Sequence, residues 1–238
     1  MQLPWKTSER VKVPFLVLLG VVCAAPCSAQ VGHPPERSPY VDLEYSQELT
    51  FFGGYVRARH DPAGVAPKSA PTLGVRYEIS LTGPLALSSE LTRTLSSRDV
   101  IDPLKPTGKR AMGTQTSGVS SVDLALAMNL TGRKSWHSLV PQVRAGVGFV
   151  SSRASDDSSG FAFGTPFAFV FGGGVKLAPG GRFQLRADVT DRIFKLGYPD
   201  AYFRLASDNT AVLDERTARS FYTHHTGLTV GVSYLFSR

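Results

Sequence analysis

The sequence predicts an all-β chain, an eight-stranded antiparallel up-and-down transmembrane β-barrel. Three observations carry this. Eight segments of about ten residues alternate between bulky apolar and small or polar side chains, the period-two signature of strands with two unlike faces. Their connections alternate long and short. After an export-like start, no apolar run approaches the roughly 18 residues a spanning helix needs, so a chain that crosses lipid must do so as a closed barrel.

Residues 1–29 read as a cleaved secretory signal peptide. Lys6, Arg10 and Lys12 form a basic start, residues 13–25 an apolar stretch too short to span, and Cys27-Ser28-Ala29 place small residues before a cut at Gln30. Val22 before Cys23 and Pro26 before Cys27 do not suit lipid attachment. Cleavage removes both cysteines, which excludes disulfides and thiolate zinc sites from the mature chain. The whole chain has 26 basic and 19 acidic residues. Loss of Lys6, Arg10, Lys12 and Glu9 leaves 23 and 18, a balance of +5. No Lys/Arg run exceeds two residues, so no nucleic-acid partner is expected. The mild positive charge suits an anionic lipopolysaccharide surface and solubility equally.

Residues 30–45 hold three prolines and read as a periplasmic lead-in, with a short ordered piece near 41–45; residues 46–238 form the barrel. The first strand, 48–59, has an ambiguous phase because Phe51 and Phe52 are adjacent and Gly53-Gly54 follow. A turn-rich loop spans 60–71. The second strand, 72–81, sets Leu73, Val75, Tyr77, Ile79 and Leu81 against Thr72, Gly74, Arg76, Glu78 and Ser80. Thr82-Gly83 then signals a tight hairpin into the third strand, 84–96. A long polar loop, 97–118, precedes the fourth strand, 119–130; a turn at 131–138 precedes the fifth, 139–151. The Ser/Asp/Gly-rich loop 152–165 leads to the sixth strand, 166–177, and Ala178-Pro179-Gly180-Gly181 to the seventh, 182–193. The longest connection, 194–225, contains a candidate helical turn near 212–218. Loops 97–118 and 194–225 are expected to be the least ordered and most protease-sensitive regions.

The eighth strand, 226–236, alternates strictly: Leu228, Val230, Val232, Tyr234 and Phe236 against Gly227, Thr229, Gly231, Ser233 and Leu235. Across all strands the bulky face is apolar and ends in aromatics. The opposite face mixes Gly, Ala and Ser with Arg76, Glu78, Glu90, Asp123, Arg144, Lys176, Arg186 and Asp188. Small residues suit a narrow interior, and mixed signs suit ion pairing across it. A lipocalin-like periplasmic barrel has the same pattern with the faces exchanged.

From Thr229 to Phe236 the order polar-x-Gly-x-x-aromatic-x-aromatic resembles the C-terminal insertion signal of bacterial outer-membrane barrels, apart from the Ser237-Arg238 extension. With segments such as Gly132 to His137, Pro141 to Gly148 and Arg186 to Asp191, the mature chain resembles the small eight-stranded outer-membrane proteins, the group that includes OmpA-like transmembrane domains. The resemblance implies an outer-membrane location and contact with outer-membrane lipid and lipopolysaccharide. It also implies recognition of the last strand by the assembly machinery, and a monomer.

No catalytic, cofactor-binding or metal-binding residue is expected. Gly146-Val147-Gly148 lacks the third glycine and the following helix of a dinucleotide site; Gly172-Gly173-Gly174 lies in a strand; Asn129-Leu130-Thr131 matches a sequon by chance. His33, His60, His137, His224 and His225 include one adjacent pair, but neighbours in a strand point opposite ways and cannot share a metal. A barrel-type lipid hydrolase would be expected to show His-x-Ser, which is absent. An eight-stranded interior is filled by its own side chains, which disfavours a porin. The expected function is a non-enzymatic barrel anchoring surface loops; a lipid-modifying barrel enzyme and a soluble lipocalin-like binder are the alternatives.

Overall fold

The computed structural model describes residues 38–152 and 157–236. The signal segment, most of the lead-in before Pro39, and Ser237-Arg238 lie outside the described residues. The strands are β1 (Tyr40–Asp42), β2 (Gln47–Ala58), β3 (Ala70–Ser80), β4 (Leu85–Thr94), β5 (Ser97–Ile101), β6 (Ala111–Thr116), β7 (Val119–Asn129), β8 (Lys134–Trp136), β9 (Leu139–Ser152), β10 (Phe167–Leu177), β11 (Phe183–Gly197) and β12 (Ser220–Phe236). Eight of them close a barrel in the order β2-β3-β4-β7-β9-β10-β11-β12, with β12 pairing back onto β2 from Phe236↔Gln47 to His225↔Ala58. Every neighbouring pair is antiparallel. Closure leaves no unpaired barrel edge, the condition for burying strands in lipid.

One end of the barrel carries the short turns and the last strand's terminus. At the β3–β4 hairpin Leu85 N–H bonds to the Thr82 carbonyl, and Gly83 sits at φ +56°, a conformation that favours glycine. The opposite end carries four long connections. The outward face of β12 is fully apolar through its centre, with Leu228 61% and Val230 63% exposed. Aromatics cluster at both rims of this apolar surface. Phe183, Tyr234, Phe236 and Tyr77 meet with ring centres 5.4–6.2 Å apart at the terminal end, and Phe149, Phe167 and Phe169 meet at 5.3–5.7 Å toward the loop end. These are the positions of interfacial girdles. Among the described residues no helix is long and apolar enough to cross a membrane.

The structure settles, sharpens or departs from the sequence expectation in five places. The phase of β2 is settled by its neighbours: Glu48, Thr50, Phe52 and Val56 are buried, while Phe51 points out. Phe52 enters the lumen beside Gly74, where an added Cβ would lie 2.4 Å from its ring. Residues 97–118 contain a projecting hairpin, β5 with β6. Strands β11 and β12 run on together to Gly197↔Ser220, which cuts the connection expected at 194–225 to residues 198–219. The helical turn lies at Asp200–Phe203, ahead of the expected site. Finally, β1 pairs with β8 and ties the lead-in to the terminal end. The two-residue turn joining β8 to β9 is His137-Ser138, both at positive φ (49° and 65°), in the hairpin geometry usually filled by Asn-Gly. Its backbone is held by neighbours: His137 N–H bonds to the Pro39 carbonyl, and the Ser138 carbonyl accepts from Ala178 N–H.

Candidate functional site

The inward positions of the strands build one connected charge network. Arg76 donates to Glu90 (2.6 Å) and Asp188 (3.0 Å); Arg144 donates to Glu90 (2.5 Å). Arg192 bridges Glu90 (2.5 Å) and Asp123 (2.8 Å). Toward the terminal end, Lys176 bonds Glu48 and Glu78, each at 2.6 Å. Arg186 reaches Glu48 (2.9 Å), Glu78 (3.3 Å) and Asp188 (2.9 Å). Five cations thus meet five anions, all of them buried. An ion transferred unpaired from water costs several kcal/mol even after relaxation, so this neutrality is what makes a charged lumen tolerable.

The polar-face pattern in the sequence identifies eight of these ten residues, and all eight point inward. Glu48 escapes it because Phe51-Phe52 blurs the phase of β2. Arg192 escapes it although a signal was present: it continues the alternation Gln184, Arg186, Asp188, Thr190 by one more step. A soluble lipocalin-like barrel, which would carry an apolar cavity inside, is incompatible with this lumen.

Above Arg192 the inward side chains change character. Phe194 and Leu196 of β11, Ala168 of β10, Val150 of β9 and Val119 of β7 pack with Val65, Phe161, Phe163, Tyr198, Tyr202 and Leu213 from the loops. Among the described residues this apolar cap fills the loop end of the barrel. A cavity lies at the terminal end, where Leu43, Tyr45 and Gln47 face Glu78, Lys176 and Gln184.

Polar contacts brace the loops over the cap. Asp61 accepts from the amides of Val65 (3.2 Å) and Ala66 (3.3 Å) and from the Tyr198 hydroxyl (2.9 Å). Lys68 pairs with Asp99, and buried Arg98 pairs with Asp157. Arg110 donates to the carbonyls of Thr210 and Ala211, and the Thr107 amide to Asp208. Burial, reinforced by the Asp61 charge, pushes the Tyr198 hydroxyl pKa up; burial pushes Tyr202 up to about 12. Burial opposes ionisation of Asp157, but the hydroxyl and amide of Ser159 and the Arg98 charge hold its pKa below the usual value. Loops 97–118 and 194–225, expected to be the least ordered regions, are tied to neighbouring loops by buried or charge-assisted bonds.

The histidine pair separates as the strand geometry requires. His225 is buried against Phe194, with ring centres 4.7 Å apart, whereas His224 points outward and meets Asp191 at 2.7 Å. Thr226 donates to the other oxygen of the same carboxylate at 3.3 Å. The hydroxyl thus engages the acid and not the imidazole, so the pair lacks the nucleophile–base contact of a hydrolase triad. Among the described residues no group of three or more His, Cys, Asp or Glu is placed to hold a metal.

No protein-family model and no curated protein matches the chain. Solved structures do. The crystal structure of Neisserial surface protein A is 12% identical, with a TM-score of 0.52, over 80% of this chain and 97% of that one. The outer membrane protein OprG from Pseudomonas aeruginosa is 13% identical, with a TM-score of 0.50, over 82% of this chain and 98% of that one. At such identities the likeness is one of fold, and it agrees with the strand count, the closure and the lipid-type outer face: this chain has the fold of the small eight-stranded outer-membrane β-barrels.

Proposed function

We propose that the protein is an outer-membrane barrel without catalytic activity that anchors a rigid crown of surface loops for interaction or envelope integrity. It would be exported by residues 1–29, inserted as a monomer by the assembly machinery through its last strand, and oriented with the short turns in the periplasm. The observation that carries this reading is the filled interior. Among the described residues, a charge-neutral lumen under an apolar cap is filled by its own side chains, which argues against a solute channel and for a role carried by the loops. The enzyme alternative rests on His224 and Asp191, where the Thr226 hydroxyl is turned to the carboxylate.

Orientation and exposure are testable together. Cleavage of the signal would leave a cysteine-free chain, so a single introduced cysteine reports its own location. On intact cells, a membrane-impermeant maleimide should label Leu104→Cys and Leu205→Cys in the loops and leave Gly132→Cys and Gly180→Cys in the short turns unlabelled until the cells are broken. Labelling confined to the turns would invert the topology; equal labelling of all four after breakage, with none before, would place the barrel away from the cell surface.

A further inference from the structure

The outward rim at the loop end of β2, β12 and β11 carries three cations that the rest of the molecule does not neutralise. Arg57 lies opposite Thr226, Arg59 N–H bonds to the His224 carbonyl, and Lys195 lies opposite Tyr222. All three are exposed, and among the described residues none takes part in an ion pair. The acid on this arc, Asp191, is engaged by His224 and Thr226. The contrast with the lumen, where every cation has at least one carboxylate, is sharp.

Their height is informative. A strand tilted about 40° climbs roughly 2.5 Å along the barrel axis per residue, so an apolar band about 25 Å tall takes about ten residues to cross. Counting from the girdle residue Tyr234 along β12, ten residues lead to His224; from its partner Leu49 along β2, ten lead to Arg59. Tyr222, on the outward face one step beyond His224, is 59% exposed and suits an interfacial aromatic. Arg59 and Lys195 therefore stand at headgroup level, and Arg57, one pair lower, reaches the same level by extending its side chain.

We infer that this arc is a binding site for the phosphate groups of lipopolysaccharide in the loop-side leaflet. Arginine forks match phosphate oxygens in a bidentate way, and lysine adds a point charge. The acyl chains of the same lipid would lie on Tyr55, Leu228 and Val189 directly below, which are half or more exposed. Charge at the top and apolar surface beneath select a lipid phosphate over a free anion. The inference rests on the membrane orientation proposed above and deepens it by naming the partner and its contacts.

The test uses the full mature chain refolded in detergent, with bis-phosphorylated lipid A as the probe and native mass spectrometry or a titration as readout. The variant is Arg57→Gln/Arg59→Gln/Lys195→Gln. The control, Lys109→Gln/Arg204→Gln/Arg216→Gln, removes the same charge from the loops. The wild type should bind lipid A. The rim variant should bind about tenfold or more weakly, a loss of about 1.4 kcal/mol or more. The control should bind like wild type, lipid A without its phosphates should bind wild type as weakly as the rim variant binds the intact lipid, and inorganic phosphate should not compete. Undiminished binding by the rim variant, equal weakening in the control, or displacement by inorganic phosphate would each overturn the assignment. Insertion into phosphatidylcholine vesicles, read by heat-modifiable gel migration, separates the two levels of the argument. If both proteins insert, the barrel reading stands whatever lipid A does; if the wild type fails to insert, both readings fall.

Discussion

The lumen and the cap are built on the same strands by opposite rules. Along β11 the inward positions read Gln184, Arg186, Asp188, Thr190, Arg192 and then Phe194 and Leu196. The alternation never slips; the polarity of its two faces reverses. Within the belt the outside meets hydrocarbon, so apolar side chains go out and polar ones must satisfy one another inside. Beyond the belt the outside meets headgroups and water, Lys195 and Tyr222 face that polar zone, and the usual rule of an apolar interior returns. The reversal therefore marks the membrane boundary from inside the barrel, at the level the outward cations mark from outside.

The two regions should also fail differently. The largest expected effect comes from the lumen. Arg186→Met removes the partner shared by Glu48, Glu78 and Asp188, and breaking such a buried arrangement from one side costs about 3–5 kcal/mol. Denaturant unfolding from lipid vesicles should show this as loss of the whole barrel, with partial recovery in Arg186→Met/Glu78→Gln, where one stranded anion is neutralised. No recovery in the double variant would mean that Arg186 acts through packing and not charge.

A smaller effect is expected in the cap. Leu213 is 4% exposed within it, and Leu213→Ala should cost about 2–3 kcal/mol, toward the low side for a buried leucine because a loop can collapse around the gap. The loss should be local: faster proteolysis within residues 198–219 at unchanged heat-modifiable migration. Global unfolding by this variant would show that cap and lumen form one cooperative unit and would erase the contrast between them.

The smallest effect concerns pH. Tyr198 and Tyr202 have raised folded-state pKa values, so the folded crown favours their neutral forms. Their contribution is fully present below the ordinary tyrosine value near 10 and is lost as pH rises from there through about 12. Protease resistance of the loops should fall across that window while the barrel persists, and Tyr198→Phe should shrink the change. A loop transition in Tyr198→Phe/Tyr202→Phe as large as in wild type would assign it to other groups.

By itself the sequence determined the number of barrel strands, the two faces of seven of them and the sign of each face, because side-chain alternation is a local property that needs no partner. Leu228 to Tyr234 outward and Arg186 with Asp188 inward follow from period two alone. Only the tertiary structure decided who pairs with whom. Arg76 meets Asp188 across 112 positions of chain, and Glu48 meets Lys176 across 128; no local pattern encodes either contact. It also decided the phase of β2, where two adjacent phenylalanines left both choices open until Gly74 made room for Phe52. Most of all, it decided the crown. Phe161, Phe163, Tyr202 and Leu213 sit in polar connections, and their burial depends on other loops arriving at the same place, so a reading of each loop alone finds flexible polar chain where the folded molecule has a packed core.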